Sequence, residues 1–195
     1  MDASTLLRRP LRWVLSDYAA YRIYMLERPE SLSPGSSDLL PVEVQALRRT
    51  QSAILGKLSD WGGPGAHGFM LSEGGQPAAV CWYWHGDQYR TRRNFWPLAA
   101  GDAKLIELGV RENARGKGLA VRIVVDSAER MFALGFRRLF ARVWHSHAAS
   151  YRAFERAGWR NVALVVTYRW RWSQQDGRVE FRRPWALRRP RAAAP

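Results

Sequence analysis

The residues best placed to do chemistry lie between Lys104 and Ala120. The run Lys104-Leu-Ile-Glu-Leu-Gly-Val110 is apolar and strand-like except for Glu107. Arg115-Gly116-Lys117-Gly118-Leu119-Ala120 follows it and opens directly into an amphipathic stretch. Strand, glycine-rich turn and helix together make a phosphate cradle. Glycine lets the backbone approach an anion and take φ > 0. The first helical turn supplies unpaired N–H groups at the positive end of the dipole. A carboxylate inside an apolar strand is costly unless it is paired or used, so Glu107 is a candidate for proton transfer. Alternation along a strand leaves open which face it takes, and a salt bridge to an arginine is the structural alternative.

The glycine spacing is not that of a dinucleotide-binding G-x-G-x-x-G, and no Gly-Lys-Ser/Thr closes a P-loop. It resembles the R/Q-x-x-G-x-G/A signature of the GNAT superfamily of N-acetyltransferases, with Arg115, Gly118 and Ala120 on the three signature positions. The resemblance implies that acetyl-CoA, or another acyl-CoA, is the co-substrate; no metal is expected, because no Cys/His spacing suggests a metal site. It further implies that Arg115, Gly116, Lys117, Gly118, Leu119 and Ala120 hold the pyrophosphate. Backbone at Leu108 and Val110 would hold the acetyl carbonyl and the pantetheine amide.

A second segment, His147-Ala-Ala-Ser150-Tyr-Arg-Ala-Phe154-Glu-Arg-Ala-Gly158-Trp159, resembles the family's N-x-x-A-x-x-x-Y-E-K-L-G-F. The resemblance places His147, Ser150 and Phe154 along the pantetheine arm. Two departures bear on chemistry. His147 replaces the usual Asn, and Phe154 replaces the Tyr that commonly protonates the departing thiolate; a phenyl ring cannot donate a proton. Tyr151 is the nearest candidate acid, with surface packing as its competing reading. The base that neutralises the attacking amine is assigned to Glu107, with His85, His145 and His147 as the other candidates.

Periodicity and capping predict the elements that carry these residues. A strand is expected at 11–15, a helix from Ser16-Asp17 to about Arg28, a second helix over 39–60, and a β-hairpin over 68–84. Residues 86–102 are expected to be irregular. A strand at 104–111, a helix at 120–134, a strand at 139–144, a short helix capped by Ser146 and ending at Gly158, and a last hairpin of 162–172 with 179–185 complete the order β-α-α-β-β-β-α-β-α-β-β. That is the element order of the GNAT fold, an α/β (α+β) class with a mixed, splayed sheet of about seven strands and about four helices. One domain is expected over 1–187, followed by a basic tail without structure of its own over 188–195.

Composition bounds the rest. Hydrophobic residues make up 47% and charged residues 25% of the 195 residues, which suits one globular domain. No apolar run approaches the ~20 residues of a membrane span, and no secretory leader is expected from the first residues. The single cysteine, Cys81, fits a reducing compartment and a cytoplasmic location, and a buried inert thiol is expected. The net charge of +14 is lopsided: residues 1–85 hold 8 basic and 8 acidic side chains, residues 86–195 hold 23 and 9. Such a field favours anionic partners. The expected function is N-acyl transfer from acyl-CoA to an amine acceptor, on a small molecule or a peptide. The alternatives are an acidic acyl-carrier protein as donor, or a catalytically weak module that binds CoA or nucleic acid; nucleic acid ranks low because no RNA-binding motif is present. Assembly is left open, a homodimer included. Of the ten tryptophans, Trp82, Trp84, Trp96, Trp170 and Trp172 are set either in the core or around an aromatic acceptor pocket.

Overall fold

A computed structural model describes residues 15–30, 38–172 and 176–182. The tail at 188–195 and all but the last residue of the strand expected at 11–15 lie outside the described residues. The elements are β1 (Leu15–Glu27), β2 (Leu40–Pro41), α1 (Val44–Arg48), α2 (Ala53–Gly56), a 3-10 helix (Lys57–Trp61), β3 (Ala66–Glu73), β4 (Gln76–Trp84), α3 (Gly86–Arg92), β5 (Asp102–Val110), a second 3-10 helix (Glu112–Ala114), α4 (Leu119–Ala133), β6 (Arg138–Trp144), α5 (Ala148–Arg156), β7 (Arg160–Trp170) and β8 (Asp176–Arg182). The strands form one open sheet in the order β2-β3-β4-β5-β6-β1-β7-β8. Only β5 and β6 run parallel; every other pairing is antiparallel.

The fold is the expected mixed α/β sheet, with eight strands and five helices among the described residues. The two-residue β2 and the short α3 are the additions.

Several assignments are corrected. Residues 16–28 are strand, not helix. Tyr18, Tyr21, Arg22, Met25 and Leu26 fit helical spacing because the middle of β1, from Tyr21 to Met25, is buried on both faces. Ile23 and Met25 pack into one apolar cluster and Tyr24 into another. A central strand reads as a continuous apolar run without the period of two. The segment expected as one helix over 39–60 is instead β2, α1, α2 and a 3-10 helix. Ser52 restarts the helix by accepting the Leu55 N–H at 3.4 Å, and Leu47, Leu55 and Leu58 still bury the anticipated face. The segment 86–102 holds α3. It is fixed by tertiary contact rather than periodicity: fully buried Tyr89 accepts the Trp96 N–H and donates to the Trp96 carbonyl, both at 2.9 Å. The N-cap of α5 is His147, not Ser146.

Helices α4 and α5 cover one face of the sheet with Ile123, Val124, Met131, Phe132 and Phe154. The opposite face is covered by α1, α2 and the first 3-10 helix over β3 and β4, and by Trp96 with Phe95 over β6, β1 and β7. Cys81 is completely buried and its thiol is pushed up to about 12 by burial, as expected of an inert core cysteine.

Candidate active site

Strands β5 and β6 pair only over Asp102–Leu105 with Arg138–Ala141. The closed end is pinned by Asp102, 4% exposed, which accepts Arg138 Nε at 2.9 Å, Arg138 Nη2 at 2.8 Å and the Ala99 N–H at 2.8 Å. Past Leu105 the two strands separate, so the β5 backbone beyond that point has no ladder partner on its β6 side. The gap is a cleft of about 290 Å³. Leu108, Val143, His147, Ser150 and Phe154 line it on the α4–α5 side; Arg93, Lys104, Glu107 and Arg142 line it on the other. The cleft therefore crosses the sheet from one face to the other.

The glycine turn follows β5 and opens α4. Gly116 and Gly118 both have φ of +79°, and Gly118 is the N-cap of α4. This left-handed geometry costs an L side chain roughly 1–2 kcal/mol, which is why glycine recurs. Among the described residues, the N–H groups of residues 116–120 have no hydrogen-bond partner, the condition for an anion site at a helix start. The Arg115 side chain is exposed. Lys117 is held elsewhere: its Nζ donates to Glu73 at 2.7 Å, where Arg111 also binds at 3.2 Å. Val110 packs its side chain into the core under α4.

On α5, His147 Nδ1 and Ser150 Oγ are 2.9 Å apart at the cleft wall. Phe154 is 3% exposed and is sandwiched by Tyr24, stacked at 5.7 Å, and Trp159, edge-on at 5.1 Å. Tyr151 does not line the cleft; its ring lies under the Arg22 guanidinium at 4.1 Å. His85 stacks on His67 at 5.2 Å outside the cleft, and burial lowers its pKa. His145 accepts from Arg22 Nε at 3.4 Å.

Glu107 is half-buried in the cleft and makes no ion pair within 4 Å among the described residues. Burial raises its pKa, an effect opposed by the Arg93 and Arg142 charges. Beside it is a group that motif reading passed over. Lys104 is 3% exposed, with its Nζ 5.3 Å from the Tyr89 ring centre and 5.6 Å from that of Phe95. Burial, reinforced by Arg142, Arg93 and Arg178, brings its pKa from 10.5 down to about 7. The available signal was a lysine at the head of a run that is apolar but for Glu107. Of the five tryptophans assigned to core or acceptor pocket, Trp82, Trp84 and Trp96 are core, while Trp170 and Trp172 are exposed. Among the described residues no group of three or more His, Cys, Asp or Glu side chains is arranged for a metal, and no helix is long and apolar enough to cross a membrane.

A family model described as the acetyltransferase (GNAT) family matches residues 12–159. A sequence comparison with curated proteins yields no match. Among solved structures, a GNAT-family protein from Novosphingobium aromaticivorans is 16% identical, with a TM-score of 0.58 over 79% of this chain and 65% of its own. An acetyltransferase of the GNAT family from Colwellia psychrerythraea is 16% identical, with a TM-score of 0.56 over 85% and 62%. A GCN5-related N-acetyltransferase from Sphaerobacter thermophilus is 14% identical, with a TM-score of 0.54 over 93% and 57%. The chain thus spans less than two thirds of the length of each, and at these identities the likeness is one of fold.

Proposed function

The chain belongs to the GNAT family of acetyltransferases, and from that premise we propose that it transfers an acyl group from acyl-CoA directly to an amine. The observation that carries the reading is that one strand–turn–helix unit, β5 to α4, carries two features. A turn of unpartnered N–H groups stands at the start of α4, and a cleft runs through the sheet to a half-buried carboxylate. The turn at Gly116–Ala120 binds the pyrophosphate. Backbone groups of β5 past Leu105 hold the pantetheine amide and the thioester carbonyl. His147 and Ser150 line the arm.

Glu107 takes a proton from the acceptor ammonium. The amine lone pair then attacks the carbonyl, a C–N bond forms and the C–S bond breaks; the second amine proton passes to the departing thiolate through solvent, and CoA leaves as the thiol. Most of the rate enhancement comes from holding the two reactants in line. Phe154 donates no proton, but a thiol pKa of ~8.5 makes the thiolate a tolerable leaving group near neutral pH. Isothermal titration with CoA and acetyl-CoA, followed by a screen of amine acceptors, tests the reading; absence of binding by both refutes it.

A further inference from the structure

The acceptor side of the cleft carries more positive charge than the protein itself neutralises. Arg93, Lys104 and Arg142 all line the cleft with Glu107. None of the three makes a side-chain hydrogen bond or an ion pair with a carboxylate among the described residues, whereas the neighbouring Arg178 is paired with Glu180 at 2.6 Å. Each of the three is instead seated on aromatic rings. Arg142 lies 4.3 Å from Phe95 and 4.7 Å from Tyr21, Arg93 lies 4.8 Å from Trp61, and Lys104 lies over Tyr89 and Phe95. Ring faces hold cations in place without cancelling their charge. A buried ammonium without a counter-ion is costly, and Lys104 gives up its proton near pH 7 unless an anion offsets its burial. Three cations facing one carboxylate repel one another as well.

We infer that this chamber binds an anionic group of the acceptor, so that the preferred substrates are small amines that also carry a carboxylate or a phosphate. The inference rests on the acyl-transfer reading and adds to it the class of acceptor. Arg142 and Arg93 grip the oxyanion through planar, charge-assisted N–H donors. Lys104 contributes a third donor from the floor, and its folded-state pKa rises as the anion arrives. The amine is left facing Glu107. Trp144 forms a wall of this cleft and also of a groove of about 630 Å³ along β1, β7 and β8, lined by Tyr18, Tyr168 and Arg178. The remainder of the acceptor extends into that aromatic groove.

Paired acceptors test the inference with acetyl-CoA as donor: an α-amino acid against its carboxamide, and O-phosphoethanolamine against ethanolamine. The anionic member of at least one pair is expected to show a kcat/KM at least about tenfold higher, mainly through KM. The pair with the larger ratio distinguishes carboxylate from phosphate. The ratio should fall toward one in Arg142→Gln and in Lys104→Met. Equal use of both members in both pairs overturns the inference, as does a ratio unchanged in both variants. Should no member be turned over, thermal unfolding in inorganic phosphate or acetate, against chloride at the same ionic strength, decides the matter. The midpoint should rise more in the native protein than in the variants, which keep the anion site at the start of α4. No rise, or equal rises in all three proteins, overturns it. A protein that binds acetyl-CoA and acetylates amines without charge preference keeps the acyl-transfer reading and loses this one. One that is anion-stabilised in this chamber but does not bind acetyl-CoA loses the acyl-transfer reading and with it the acceptor role, and keeps only the anion site.

Discussion

Glu107 stands opposite Trp82 across the β4–β5 ladder, although Leu105 stands opposite Tyr83, so Ile106 is an extra residue without a partner on β4. This bulge resets the phase of the strand. Leu105 faces α4, and simple alternation would put Glu107 on that same side. Past the bulge it is Leu108 and Val110 that pack under α4. A Cβ at Gly109 would come 2.7 Å from Leu58 on the opposite face. Glu107 shares that opposite face with Lys104, in the cleft and out of the core.

Glu107→Gln is expected to lower turnover by about 100-fold or more, the usual worth of a positioned base, with acetyl-CoA affinity nearly unchanged. The pKa of Glu107 is raised and a base acts deprotonated. The native rate should therefore climb with pH through that raised value, and the acidic limb should flatten in the variant. Full activity with the native pH profile in Glu107→Gln would make Glu107 structural and leave His147 or water as the base.

Gly118→Trp should weaken acetyl-CoA binding at least about tenfold. Its Cβ meets no protein atom within 4 Å, so the folding cost is limited to the left-handed backbone, roughly 1–2 kcal/mol. Titration calorimetry and thermal unfolding separate the two effects. A folded variant with native affinity would show that the pyrophosphate binds elsewhere.

Phe154→Tyr should leave kcat unchanged or raise it modestly, since it restores a hydroxyl at the cleft wall where thiolate departs. Phe154→Ala, by contrast, removes a buried ring between Tyr24 and Trp159 and should destabilise the fold by about 3–5 kcal/mol. A several-fold loss of kcat in a folded Phe154→Tyr would mean that the apolar wall itself is required.

Lys104 predicts a pH dependence of stability. Its amine is charged in the unfolded chain up to its ordinary value of 10.5 but in the fold only below about 7. Between these values the unfolded state binds more protons, so stability gains from rising pH. The destabilisation is complete below pH 7 and is relieved above it. Arg142 from β6, Arg93 and Arg178 from β8 deepen the effect. Lys104→Met should therefore raise the melting temperature most at pH 6, with the advantage shrinking by pH 8.5. A constant difference across that range would show that Lys104 keeps an ordinary pKa.

The sequence by itself determined the second half of the molecule. The strand–glycine turn–helix from Lys104 to Leu134, the segment from His147 to Trp159 and the flanking strands were legible because each is a local pattern. Positive φ at Gly118, an amphipathic period in α4 and a glycine after each helix are written in adjacent residues. The tertiary structure alone decided the rest. That β1 is a strand follows from its place between β6 and β7, where burial on both faces erases the alternation that would have marked it. That α3 forms follows from Tyr89 reaching Trp96. That Glu107 enters the cleft follows from the bulge at Ile106, which a period-of-two reading of β5 cannot contain. That Lys104, Arg93 and Arg142 share one chamber follows from the parting of β5 and β6 past Leu105 and Ala141. Charges far apart in the chain acquire a common chemistry only when the sheet opens between them.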